Sequence, residues 1–171
     1  MAVTIDGSGT VTGLASGNAG VGKVLQVVSV TKTDPFTTGS TTFVDVTGLT
    51  VDITPTSATS KILVFYKVSV NPRTSVAYLQ LLRGETVIGG GIPEGARGSA
   101  MSAFYAGGTG GETVDLSGNF LDSPASTSSQ TYKIQTRGNA GTTAINTTVS
   151  DTNEINQTRN SSTITVMEIA A

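Results

Sequence analysis

The sequence predicts an all-β fold of the sandwich or barrel type, on three observations. Ser60 to Asn71, SKILVFYKVSVN, alternates at period two, with Ile62, Val64, Tyr66, Val68 and Val70 on one face and Leu63, Phe65, Lys67 and Ser69 on the other. Charged residues make up only 13% of the chain, and Thr, Ser and 21 Gly fill much of the rest, which suits strands whose polar faces are hydroxyls. Nowhere does a 3.6-residue period persist over about 11 residues. At 171 residues the chain is long enough for one domain with a sizeable core.

Taken in order, residues 1–22 form a short extended N-terminal arm and residues 23–171 the β domain. In the arm, Val3 with Ile5 and Val11 with Leu14 flank the turn Asp6 to Gly9, the pattern of a small hairpin that must borrow surface to be ordered. Lys23 to Thr33 opens the domain with apolar positions on both faces, and Asp34-Pro35 breaks it. Thr37 to Thr42 reads as a polar turn. Thr42 to Val46 and Leu49 to Ile53 read as two short strands parted by Thr47-Gly48. Pro55 and Pro72 bracket the central strand Ser60 to Asn71, since neither can donate to a ladder. Ala77 to Leu82 turns through Arg83-Gly84-Glu85 into Thr86 to Ile88, a hairpin. Gly89 to Gly111 is Gly-rich, with Met101, Phe104 and Tyr105 marking a strand. Thr113 to Leu121, the Tyr132 to Thr136 run, Ala144 to Val149 and Ser162 to Ile169 complete about ten strands.

The chemistry available is narrow. There is no His and no Cys, so the commonest general base, the commonest transition-metal ligand, the thiol nucleophile and any disulfide framework are all absent. A net charge of −2 without a basic stripe gives nucleic acid no electrostatic footprint. No apolar run approaches the about 18 residues of a membrane span, and no signal-peptide order is present. Gly17 to Lys23, GNAGVGK, has the glycine and lysine positions of a phosphate-binding loop, but Val24 replaces the metal-binding hydroxyl and opens a strand instead of a helix. Asp151, Asn153 and Glu154 lack the spacing of a calcium loop and read as a solvated turn. The sequons at Asn146, Asn156 and Asn160 reflect an Asn/Ser/Thr-rich composition. Asp45, Asp52, Asp115, Asp122 and Glu168 lie in or beside strands, and nothing in their spacing pairs two of them for glycosidase chemistry. No catalytic, cofactor-binding or metal-binding residue is nominated, no cofactor is expected, and the reading is not that of an enzyme.

Several ordered phrases resemble one family. GKVLQVVSVTKTD (Gly22 to Asp34), STTFVDVTGLTVDITPTSATSKILVFYKVSVN (Ser40 to Asn71), YLQLLRG (Tyr78 to Gly84), FLDSPAS (Phe120 to Ser126), TYKIQTRG (Thr131 to Gly138) and STITVMEI (Ser162 to Ile169) are similar to a β-rich domain of tailed-phage virion proteins. That domain is familiar in cyanobacterial and marine phages as tail fibre or structural protein. The resemblance implies a trimeric jelly roll in the virion and transfers no receptor-binding residue. The fold expectation is therefore an antiparallel jelly-roll sandwich over Lys23 to Ile169, with Ile62, Val64, Tyr66, Leu79, Leu81, Ile134, Ile164 and Val166 in its core.

The same strands set the assembly expectation. Lys23 to Thr33 and Ser162 to Ile169 carry apolar residues on both sides, and one sandwich core uses only one, so a homotrimer with apolar strand faces along its axis is expected. Residues 1–22 would bind other virion proteins, and Gly89 to Gly111 with Arg137 to Thr143 would meet a host cell-surface glycan. The leading function is a short tail fibre or adhesin. The alternative, favoured by the lack of a shaft between arm and domain, is a capsid decoration or cement protein. Neither nucleic acid nor membrane is an expected partner.

Overall fold

The computed structural model describes residues 4–5, 11–12, 22–72, 75–107, 112–155 and 157–171. Thirteen strands and no α-helix occur among them: β1 Thr4–Ile5, β2 Val11–Thr12, β3 Val24–Lys32, β4 Phe36–Thr38, β5 Val44–Ile53, β6 Lys61–Pro72, β7 Val76–Arg83, β8 Thr86–Ile88, β9 Ser102–Tyr105, β10 Val114–Asp122, β11 Gln130–Gly138, β12 Thr143–Ile145 and β13 Ser162–Ile169. No helix among the described residues is long and apolar enough to cross a membrane.

Two antiparallel sheets face each other. In the first, β6 carries β10 along one side and β13 then β12 along the other, with β3 beyond β13 and β4 beyond β12. In the second, β7 has β11 on one side, then β5, and both β8 and β9 on the other. The order β3-β13-β6-β10 against β5-β11-β7-β8/β9 is a jelly roll: the chain crosses between sheets after β4, β5 and β6, and again around β10 and β11, so early and late strands alternate within each layer.

The central strand lies where its alternation places it. Ile62, Val64, Tyr66, Val68 and Val70 are buried between the sheets, and Leu63, Phe65 and Lys67 face outward. All eight expected core residues belong to the one buried cluster, joined by Val46, Leu49, Val51, Ile53 and Tyr132 from the second sheet. Each such aliphatic side chain contributes roughly 1.5–3 kcal/mol by leaving water.

Three local expectations are corrected. The two strands expected either side of Thr47-Gly48 are one strand, β5, of 10 residues. Gly48, at φ 87°, lets the strand bulge, so Thr47 and Gly48 are both exposed and the inward phase resumes at Leu49. The polar turn expected at Thr37 to Thr42 contributes the short strand β4, paired with β12. The strand expected over Ala144 to Val149 stops at Ile145, because Asn146 takes φ 62° and turns the chain out of the ladder. In the arm, Thr4 pairs with Thr12 and Ile5 with Val11, antiparallel. Residues 1–3, 6–10 and 13–21, which hold Val3, Leu14, the Asp6 to Gly9 turn and most of the Gly17 to Lys23 motif, lie outside the described residues.

Gly118 stands opposite Tyr66, whose ring lies across it. A Cβ there would come within 2.7 Å of the Tyr66 hydroxyl and 2.9 Å of Cζ. Tyr66 is almost fully buried, and its hydroxyl bonds Ser102 of the second sheet at 2.8 Å, so the ring has nowhere to retreat. Gly118→Ala is expected to cost about 1–3 kcal/mol in urea unfolding. A loss below about 0.5 kcal/mol would show that the ring is not held.

Candidate functional site

The two ends of the sandwich differ. At one end, β3 starts and β13 finishes side by side, tied by Gly22 N to Ala170 O at 2.9 Å and Ala170 N to Lys23 O at 2.8 Å. The connections at this end are short: 54–60, 84–85 and 123–129. The opposite end carries the long ones: 33–43 interrupted by β4, 106–113, and 139–142 and 146–161 on either side of β12. Short turns simply close adjacent strands, whereas long connections bring side chains from distant parts of the chain together.

The longest of these is fixed by buried polar contacts. Asn146, wholly buried, donates from Nδ2 to Lys32 O (2.9 Å) and Asp34 O (3.2 Å) and accepts from Ser162 Oγ (2.5 Å) on its Oδ1. Ser162 Oγ also accepts from Ser69 N at 3.0 Å, and Asn160 Nδ2 reaches Ser69 Oγ (2.7 Å) and Thr113 Oγ1 (2.9 Å). Arg159 pairs with Asp151 at 2.8 Å, and Asp151 accepts from Thr147 Oγ1 at 2.6 Å. Thr148 Oγ1 bonds Gln157 Oε1. Polar groups so matched hold the loop in one shape, because each would be costly to bury unpaired.

Beneath this loop, on the outward side of the first sheet, lies an open groove of about 840 Å³. It is lined by Thr33, Lys67, Thr113, Val114, Asp115, Arg159, Asn160 and Ser161. Two cations, one carboxylate, hydroxyls and an amide line the space, with Val114 its one apolar side chain. Lys67 and Asp115 pair loosely across it at 3.5 Å. Such a surface offers donors and acceptors to a polar, polyhydroxylated ligand and gives an apolar one little to bury against.

The carboxylates singled out in the sequence are each held by their own partners. Asp45 accepts from Gln135 (2.7 Å) and Lys133 (3.1 Å), which hold it below the usual carboxylate range. Asp52 accepts from Thr131 (2.5 Å), Asp115 faces Lys67, and Asp122 accepts from Arg83 and Tyr132, both at 2.7 Å. Burial opposes ionisation of Glu168, but hydrogen bonds from Gln26, Ser60 and Thr56 outweigh it and hold the carboxyl at about 2. Asp151, Glu154 and Arg159 line a second pocket of about 220 Å³. Among the described residues no three His, Cys, Asp or Glu side chains gather as a metal site would require. The sequon residues Asn146, Thr147 and Thr148 are buried, the side chain of Asn160 is engaged in the loop, and Asn156 lies outside the described residues.

Of the loops expected to face a ligand, 106–107 and 139–142 lie at the long-loop end among the described residues. The stretch before β9 runs instead along the open edge of the second sheet, with Gln80 Nε2 donating to Ser99 O and Met101 N to Leu79 O. Arg137 is clamped over Tyr78 (4.0 Å) and Phe43 (5.2 Å). The groove itself draws on four separated segments. Asp115 and Asn160 were marked in the sequence for other chemistry, and no local pattern links them to Thr33, Lys67 or Arg159.

No protein-family model matches the chain, and no curated protein matches it. Among solved structures it is similar to a chain of infectious bursal virus derived T=1 particles, at 12% identity and TM-score 0.44, over 100% of this chain and 41% of that one. It is similar also to a chain of the infectious bursal disease virus VP2 subviral particle, at 14% identity and TM-score 0.44, over 100% of this chain and 42% of that one. A third similar chain is from the Gx strain of the same virus, at 18% identity and TM-score 0.37, over 85% of this chain and 36% of that one.

Proposed function

We propose that this chain is a non-enzymatic virion structural protein, a short trimeric tail fibre or adhesin domain. It is held to the particle by residues 1–22, and its long-loop end is turned toward a host-surface glycan. The observation that carries the reading is the polarity of the jelly roll. Residue 22 leaves the sandwich at the short-turn end, bonded to Ala170, and the polar groove lies at the opposite end. A domain anchored at one end and open at the other is what display from a particle surface requires. The phage-virion phrases in the sequence support the same placement, and the groove supplies the donor and acceptor set a glycan would need.

The test has two parts. Deleting residues 1–22 is expected to leave circular dichroism of the domain unchanged and to remove the protein from purified particles; particles that still carry the truncated protein would refute the arm as anchor. Lys67→Ala and Arg159→Ala are each expected to weaken binding of the isolated protein to host cells by about tenfold, the loss of one charge-assisted hydrogen bond. Unchanged binding would rule out the groove. Antibody labelling confined to the head shell would replace the fibre reading with a decoration protein.

A further inference from the structure

We infer that the outward face of the β10-β6-β13-β3 sheet is the contact surface between copies of this chain, centred on an apolar row that crosses all four strands. Register makes the row: Leu121 stands opposite Leu63, Leu63 opposite Met167, and Met167 opposite Val27. Phe65 lies on the same face two residues up β6, and beyond a bulge in β3 the exposed Val24 stands opposite Ile169, with exposed Leu25 beside it. Leu25, Val27, Phe65 and Leu121 are four of the nine large apolar side chains exposed among the described residues, so exposure of this kind is concentrated here and not scattered.

The opposite layer shows what a solvated face of this protein looks like. On the second sheet, Lys133 bridges Asp45 at 3.1 Å and Glu85 at 2.9 Å, and Asp52 binds Thr131. Among the described residues no ion pair spans the apolar row of the first sheet, and the inner face of that sheet is already used by the core cluster. An exposed apolar row rimmed by polar side chains, here Asn119 and Thr165 on either side of Phe65, marks an interaction surface.

The occupant that fits is a second copy. The row carries no charge; Lys67 and Asp115 above it pair at 3.5 Å, and the single cation below it, Lys61, sits at the end of the strand bonded to Ser123, so two such faces meet with little repulsion. An anionic lipid surface or nucleic acid would need a cluster of basic groups, and among the described residues of this face only Lys61, bonded to Ser123 Oγ at 2.8 Å, is without a carboxylate partner. Four strands about 4.8 Å apart, over the nine residues from Lys61 to Ser69 at about 3.4 Å each, give a face on the order of 600 Å². That approaches the about 800 Å² per partner of a standard interface. Because the row runs from one sheet edge to the other, copies arranged about an axis parallel to the strands would close it into one apolar layer. The inference rests on the homo-oligomer part of the reading above and assigns it a face. The groove begins at Lys67, about 13 Å up the strand from Leu63, and opens at the margin of this contact.

Sedimentation velocity on the wild type and on Phe65→Lys/Leu121→Lys tests it. The wild type is expected at a multiple of 17.3 kDa and the double variant at 17.3 kDa, with the strand signal in circular dichroism retained. If the double variant does not fold, cysteine placement decides, since the chain has no cysteine of its own. Phe65→Cys is expected to cross-link copies through a short bismaleimide, whereas Val87→Cys on the second sheet is not. An oligomeric wild type that keeps its mass in the double variant, or fails to cross-link through Phe65→Cys, overturns this face and leaves the assembly reading standing. A monomeric wild type, whether or not it floats with phosphatidylcholine vesicles, overturns both.

Discussion

Tyr132→Ala is expected to remove about 4 kcal/mol of stability in urea unfolding at neutral pH, while Tyr132→Phe removes about 1–2 kcal/mol. Tyr132 is fully buried and rises from β11 in the second sheet, between Val51 and Arg83. Its hydroxyl donates to Asp122 at 2.7 Å, at the end of β10 in the first sheet. The side chain therefore spans the core from layer to layer. Burial first, and the Asp122 carboxylate second, push its phenol pKa far up, so it remains a donor at any ordinary pH. Truncation to alanine leaves a ring-sized cavity and also removes a donor from Asp122, which retains only Arg83 at 2.7 Å. The phenylalanine variant keeps the volume and isolates the hydrogen bond. Equal losses in the two variants would show that the hydroxyl, not the ring, is the strap. Losses below about 0.5 kcal/mol in both would show that the layers are held elsewhere. Against a total of about 5–15 kcal/mol for a domain, the alanine variant is expected to be partly unfolded at modest urea concentrations.

The inner face of this fold was legible in the sequence because period two is a direct consequence of strand geometry, and β6, β10, β11 and β13 all keep it without interruption. β5 was misread as two strands because a glycine at positive φ both resembles a turn and permits a bulge. Only the partner strand distinguishes the two outcomes: six positions of β5, from Thr50 to Asp45, stand opposite three of β11, from Lys133 to Gln135. β12 was overextended for the converse reason, since Asn146 leaves the ladder to satisfy carbonyls of Lys32 and Asp34 more than 110 residues away. The groove was not legible at all. Its lining converges from β6, β10 and three loops, and convergence is a property of topology, not of spacing. The apolar outward row lies between these cases: Val27 and Met167 were visible as a second apolar side to their strands, but joining them to Leu63 and Leu121 required the register.

Glu168→Gln is expected to destabilise the protein by on the order of 3 kcal/mol at pH 6 and by less than half of that at pH 3. Glu168 is fully buried on β13, at the short-turn end of the sandwich. One carboxylate oxygen accepts from Thr56 N and Thr56 Oγ1, both at 2.7 Å, and the other accepts from Gln26 Nε2 at 2.6 Å. A single charge thus ties β3 and the 54–60 connection to β13. Because the folded carboxyl sits at about 2, against an ordinary value of 4.5, its contribution is complete above pH 4.5 and is lost as pH falls toward 2. An amide is neutral at every pH and replaces one acceptor oxygen with a donor that faces donors, so the variant lacks this pH dependence. Other carboxylates held low, Asp45 and Asp34 among them, also make the wild type sensitive to acid. The informative quantity is therefore the difference between wild type and variant, taken from urea midpoints at both pH values, in which the shared carboxylates cancel. A difference that stays constant from pH 6 to pH 3 would show that Glu168 is not ionised in the folded protein, and that neutral hydrogen bonds hold this end of the sandwich.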